Sequence, residues 1–141
     1  MNGISATAPQ RMALGLTLVR IIVGVVFVVH GSQKLFVFGL GGITAFFTQA
    51  GIPLPAIAAP VVTFVELLGG IALILGVFTR IAAILLAIDM MGAILFVHGK
   101  AGFFLPTGFE YALTLLVANI ALAVGGPGEY AIESRFMSRG V

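Results

Sequence analysis

The sequence has no cysteine and no tryptophan, and only 9% of its 141 residues are charged. Without cysteine, disulfides, thiol redox chemistry, thiolate-bound metals and iron–sulfur clusters are excluded within this chain. A soluble domain carries about 25% charge, so the scarcity of charge argues against an aqueous fold. The basic residues are scattered and the net charge is +2, which gives no basic patch for a nucleic acid. The two histidines and scattered acids form no HxxxH or ExxH pair, so no metal site is expected. With tryptophan absent, twelve phenylalanines must supply most of the aromatic surface.

What is present is apolar. Hydrophobic residues make up 60% of the chain and the mean hydropathy is +1.22, values of the membrane class. The length suits one domain, residues 1–141, built as an all-α integral membrane four-helix bundle in a lipid bilayer. The apolar run after Arg11 continues past Arg20 to His30, longer than a signal-peptide core and without a convincing cleavage site. It reads as an uncleaved first span.

Four spans are expected, at about 12–38, 59–79, 81–97 and 110–125. Residues before the first span form a loose tail. The Gly cluster from Gly39 ends span one. Between spans one and two, Ile43 to Ala50 makes one or two helical turns with Phe46 and Phe47 facing lipid. Gly51, Pro53 and Pro55 then break the chain. This piece is too short to cross and reads as an interfacial or re-entrant element. Thr79-Arg80 joins spans two and three as a tight hairpin, and Gly125-Gly126-Pro127-Gly128 stops span four before a polar tail.

Ionisable residues inside such spans are costly, and they normally face a bundle interior, a cavity or the interface. Arg20, Gly24, Phe27, Gly31 and Lys34 recur at helical spacing and form one stripe, where other helices should pack. Glu66, Gly69, Gly70 and Leu73 share a face of span two, with small residues that admit a neighbouring backbone. Four spans place both termini on one side. That side collects Arg11, Arg80, Arg135 and Arg139 against Lys34 and Lys100 on the other, which puts both termini in the cytoplasm. His30, Lys34, Glu66, His98, Lys100 and Glu110 then fall in the outer half, with Asp89 near mid-depth. Arg20 falls in the inner half, about 21 Å of helix from Lys34.

Buried charges pair or neutralise, so Glu66 is expected on Lys34, His30 or Arg20, and Asp89 on one of the same bases. Each has a plainer reading beside the functional one. Lys34 can snorkel to the interface, Glu66 and Asp89 can tie helices together, and Arg20 can be a structural counter-ion. Glu110 at a helix N-terminus is stabilised by the macrodipole. Asn119 is expected to bond a neighbouring helix. Nine ideal helical steps turn His98 about 180° from Asp89, which makes it a loop or rim residue.

Arg20, the run HGSQKLF (His30 to Phe36), Gly51-Ile52-Pro53, VELLGGIALILGVFTR (Val65 to Arg80), Gly102-Phe103-Phe104, Phe109-Glu110-Tyr111 and the closing GGPGEYAIE together resemble the DoxX family of small membrane proteins. The resemblance extends from about Leu14 to Glu133. It implies a four-helix protein of a bacterial-type plasma (inner) membrane. It implies Arg20, His30, Lys34, Glu66 and Glu110 as characteristic residues; Asp89 comes from the reading of the spans alone. The family's namesakes are associated with thiosulfate:quinone oxidoreductase, and other members with oxidative or thiol stress.

The expected function is the membrane subunit of a redox system. A quinone headgroup would sit among His30, Lys34, Glu66 and Asp89 as the reacting groups, with Arg20, Phe27, Phe103 and Glu110 as binding residues. A soluble redox enzyme would be its partner and would supply any thiol chemistry. The alternative is a non-enzymatic scaffold or lipid-binding protein that docks such an enzyme. A small transporter fits less well, for want of repeats and broken helices. Glycine faces suit internal packing or a homo-oligomer equally.

Overall fold

A computed structural model describes residues 7–137. Within them the chain is helical: α1 (Ala8–Ser32), a π-helical stretch Gln33–Phe38, α2 (Gly39–Gln49), α3 (Pro55–Leu75), α4 (Thr79–Gly92), a second π-helical stretch Ala93–His98 with a 3₁₀ turn Gly99–Ala101, α5 (Glu110–Gly125) and α6 (Ile132–Met137). Three helical stretches among the described residues, Ala8–Gln49, Pro55–Leu75 and Thr79–Ala101, are long and apolar enough to cross a membrane, and Glu110–Gly125 is apolar and shorter. The fold is an all-α membrane helical bundle. α1 packs along α3, α3 on α4, α4 on α5, and α5 closes against α1.

The first helix begins four residues before the expected span. Gln10 Oε1 accepts the Thr7 N–H at 2.9 Å and Pro9 sits in the first turn, so the start is capped. The part of the expected tail before Thr7 lies outside the described residues, as does Arg139. The buried face of α1 is Thr17, Arg20, Val23, Gly24, Phe27 and Gly31, which follows the stripe read from the sequence as far as Gly31. α1 and α3 touch backbone to backbone. A Cβ on Gly24 would lie 2.7 Å from Gly70 O, and one on Gly31 2.6 Å from Leu67 N. Lipid offers no hydrophobic drive for helix association, so this close van der Waals approach is what holds the pair.

The first helical run ends at the Gly cluster, as expected. It continues through the π stretch to Gly39, whose φ of +70° breaks the regular path and starts α2 in a new direction. α2 has 11 residues, too short to cross, and lies against the start of α3 through Ile43, Phe47 and Ala59. Phe47 is therefore buried rather than lipid-facing, whereas Phe46 is exposed. The burial is that of an amphipathic element laid on a neighbour.

α3 ends at Gly76, φ +69°, earlier than the expected span, and the turn is closed by Val77 N–H to Ala72 O at 3.0 Å. The polar C-terminal segment packs on the bundle, with a short helix at Ile132–Met137. It folds under the end of the bundle that holds the termini. Ala131 is buried against Gly76, and Glu133 N–H donates to Gly76 O at 3.0 Å. Asn119 is buried but bonds its own helix, Nδ2 to Leu115 O at 2.9 Å, not a neighbour.

Candidate functional site

At the end of the bundle away from the termini, the helices splay around a cavity of about 630 Å³. Its walls come from α1 and its π stretch (Val26 to Lys34), α2 (Phe46, Phe47), α3 (Ala58 to Glu66), α4 and its π stretch (Ile88 to His98), the 105–108 loop and the first turns of α5. Most of the lining is apolar. The polar exceptions are His30, Lys34, Glu66, Asp89, His98 and Tyr111. They come from four separate helical runs, so the cluster exists only in the folded bundle.

Lys34 Nζ donates to Glu66 Oε2 at 2.6 Å, and the Glu66 side chain is 4% exposed against 20% for Lys34. Lys34 sits in the first π stretch, just past the glycine face that brings α1 against α3. Of the three partners expected for Glu66, the fold selects Lys34. The expectation for Asp89 needs correction. Asp89 lies against the Glu66 carboxylate, with Lys34 as the nearby cation, and not on a base of its own. Its Oδ2 is buried with no hydrogen-bond donor. The reason is geometric: α4 meets α3, and the single cation has already closed on Glu66.

His30 is exposed at the cavity wall, and its ring faces that of Tyr111 at 6.4 Å between centroids. In the sequence Tyr111 stands out only as part of Phe109-Glu110-Tyr111. Its position one residue past the start of α5, across from His30, is the signal that a topology would have been needed to read. His98 lines the cavity too, which the ideal-helix reading did not allow. Residues Ala93–His98 form a π-helix, whose wider turns rotate less per residue, so His98 comes round toward the side of Asp89. His98 Nδ1 is 2.9 Å from Thr107 O. A carbonyl only accepts, so Nδ1 carries the hydrogen and Nε2 is the acceptor of the neutral ring. Both π stretches thus carry an ionisable cavity residue, as π-bulges at functional sites often do.

Three of the expected binding residues lie elsewhere. Arg20 is 1% exposed at the opposite end of the bundle. Its Nη1 donates to Leu73 O and, at 3.0 Å, to Ile74 O, and its Nη2 to Tyr130 O at 3.1 Å. Carbonyls at a helix C-terminus attract a cation, and this accounts for Arg20 without a ligand. Glu133 does the converse, accepting the Thr79 N–H at the start of α4 at 3.2 Å. Glu110 Oε1 accepts the Leu105 N–H at 2.7 Å and so folds the 102–110 loop over the cavity without lining it. Phe103 packs edge-on against Phe104 and Phe109, ring centroids 5.4 Å apart in each pair, outside the cavity wall. Phe27 alone of the expected binding residues lines the cavity, together with His30, Lys34, Glu66 and Asp89. Among the described residues no cluster of histidine and acidic side chains has the geometry to hold a metal ion.

A family model, DoxX, matches residues 15–99. The chain is 38% identical over 80% of its length to CatD of Bacillus subtilis, a protein named provisionally as an oxidoreductase, and covers 81% of it. It is 33% identical, over 99% of this chain and all of the other, to a Haemophilus influenzae protein without an assigned role. With the inner membrane protein YphA of Escherichia coli it shares 28% identity over 85% of this chain and 89% of that one. No solved structure matches it.

Proposed function

Because the chain belongs to the DoxX family, we propose that it is the membrane subunit of a redox system and that its cavity receives the headgroup of a lipid-soluble carrier of the quinone class. One observation carries the reading: a cavity of about 630 Å³, apolar over most of its wall, has its polar groups gathered at Lys34, Glu66, Asp89, His30, His98 and Tyr111. Apolar pockets with a few convergent polar groups are the usual form of small-molecule sites. The name of the Bacillus relative supports the redox part. We further propose that the termini lie in the cytoplasm of a bacterium, since Arg11 and Arg80 sit at that end.

The residues fit such a headgroup. A quinone is a planar ring with two acceptor carbonyls, and when bound it supplies two-electron, two-proton redox chemistry. Lys34 keeps N–H donors beyond the one spent on Glu66. The His30 ring and the Tyr111 hydroxyl can each donate, and His98 Nε2 can accept. Phe27, Val26 and Val62 keep water from the ring. Asp89, whose Oδ2 lacks a donor, is placed to hold a proton at that atom beside the ligand. With no cysteine in the chain, thiol chemistry would belong to a soluble partner.

The test is to purify the protein with its native lipid, extract, and identify bound small molecules by mass. The outcome expected is a quinone in the wild type that is depleted in His30→Ala. No bound quinone, with no quinone reduction in membranes supplied with soluble extract, ends this reading. Bound amphiphile without turnover would favour the scaffold.

A further inference from the structure

We infer that Lys34, Glu66 and Asp89 form a charge-neutral triad, in which one proton is shared between the two carboxyls, and that this floor makes the cavity select an uncharged polar headgroup over a carboxylate. The argument starts from the donor inventory. Ionised carboxylates only accept, so two of them in contact have nothing to exchange. Asp89 nonetheless rests against Glu66, with Oδ2 buried and no donor in reach. A single proton between them turns the pair into an O–H···O⁻ hydrogen bond, which is short and strong. Glu66 already accepts from Lys34 at 2.6 Å, so it is the charged member and the proton resides chiefly on Asp89.

Charge counting leads to the same place. With both acids ionised the triad holds one cation and two anions. With one proton added it is neutral, the cheaper state in an apolar bundle. The other titratable groups around the cavity are His30 on α1, His98 at the end of α4 and Tyr111 on α5, and α2 contributes none to the lining. None of them donates to Asp89 Oδ2. A carboxylate headgroup would meet no uncommitted cation at this floor, because Lys34 is already paired. An uncharged carbonyl or hydroxyl headgroup loses little on leaving the interface.

The headgroup clause rests on the cavity being an amphiphile site, as proposed above, whereas the triad does not. Infrared spectroscopy of the protein in lipid nanodiscs tests the triad directly. At neutral pH the wild type is expected to show a protonated-carboxyl C=O band. Asp89→Asn should lose it. Glu66→Gln should lose it too, because Asp89 then becomes the counter-ion of Lys34, and this second variant serves if the first does not fold. Glu110→Gln should keep the band. Its absence from the wild type, or its persistence in both triad variants, overturns the triad. For the headgroup, a decyl-chain benzoquinone and decanoate are compared by direct binding. The neutral probe is expected to bind roughly tenfold tighter or better. Equal or tighter binding of decanoate overturns the selectivity even if the band is present. Binding of neither probe removes the amphiphile site, and the headgroup clause with it, while the band still decides the triad.

Discussion

Lys34 and Glu66 each carry a charge that the surrounding helices could not tolerate alone. Removing one partner of such a pair leaves the other buried and unpaired, which costs about 3 kcal/mol, the low end of the usual range because Lys34 is partly exposed. Lys34→Met is therefore expected to lower the unfolding midpoint measured in detergent. Lys34→Met combined with Glu66→Gln should cost less than the sum of the single changes, because the orphaned charge is gone. Arg20 is a different case. Its guanidinium serves the carbonyls of Leu73, Ile74 and Tyr130, far from the cavity. Arg20→Met is expected to cost at least about 2 kcal/mol, with Arg20→Lys recovering part of it, since a lysine cannot reproduce the planar fork. The amount of small molecule that co-purifies should stay unchanged in both. Residue types announced a polar cluster here, but not its pairings. Nothing in the spacing of Glu66 and Asp89 says that two carboxyls would share one cation, because that depends on how α3 and α4 meet.

At the level of elements, the α1–α3 contact is the closest in the bundle. Gly31→Ala would place a Cβ 2.6 Å from Leu67 N, so the helices must part. The cost should be about 1–3 kcal/mol, read as a lower midpoint in detergent unfolding. Gly15→Ala is the control: it has nothing within 4 Å and ordinary helical backbone, so the same change should be neutral or stabilising by up to about 1 kcal/mol. The glycine stripe was readable because helical periodicity survives folding. The π stretches were not. An ideal 100° step assigned His98 to the wrong face, and a π-helix is a local widening whose energy is decided by what packs around it. The same limit explains α2. The breaks at Gly39 and at Gly51 to Leu54 were readable, but the α3 surface that keeps the 11-residue segment between them folded was not.

For the molecule as a whole, the C-terminal segment seals one end and leaves the other for the cavity. Arg20 caps the end of α3 while Glu133 caps the start of α4, so both faces of the α3–α4 turn depend on residues distant in sequence. Deleting the chain from Pro127 onward removes Tyr130, Ala131 and Glu133 together. It is expected to lower stability by about 2 kcal/mol or more, seen as easier detergent unfolding, without changing what the cavity holds. Reporter fusions at the two termini should both report the cytoplasm; both reporting the far side would reverse the assignment of the cavity to the outer half, and a split result would rule out four spans.

The sequence by itself determined the membrane, the helices and the side of each helix that faces its neighbours, because hydropathy and a 3.6-residue period are properties of the chain alone. It also set aside thiol chemistry by lacking cysteine. Tertiary structure decided which ionisable groups meet. It drew His98 and Tyr111 to the cavity, sent Arg20 and Glu110 to structural work, and set Asp89 against Glu66, because the partner of a buried charge is chosen by helix crossing and local winding rather than by residue type.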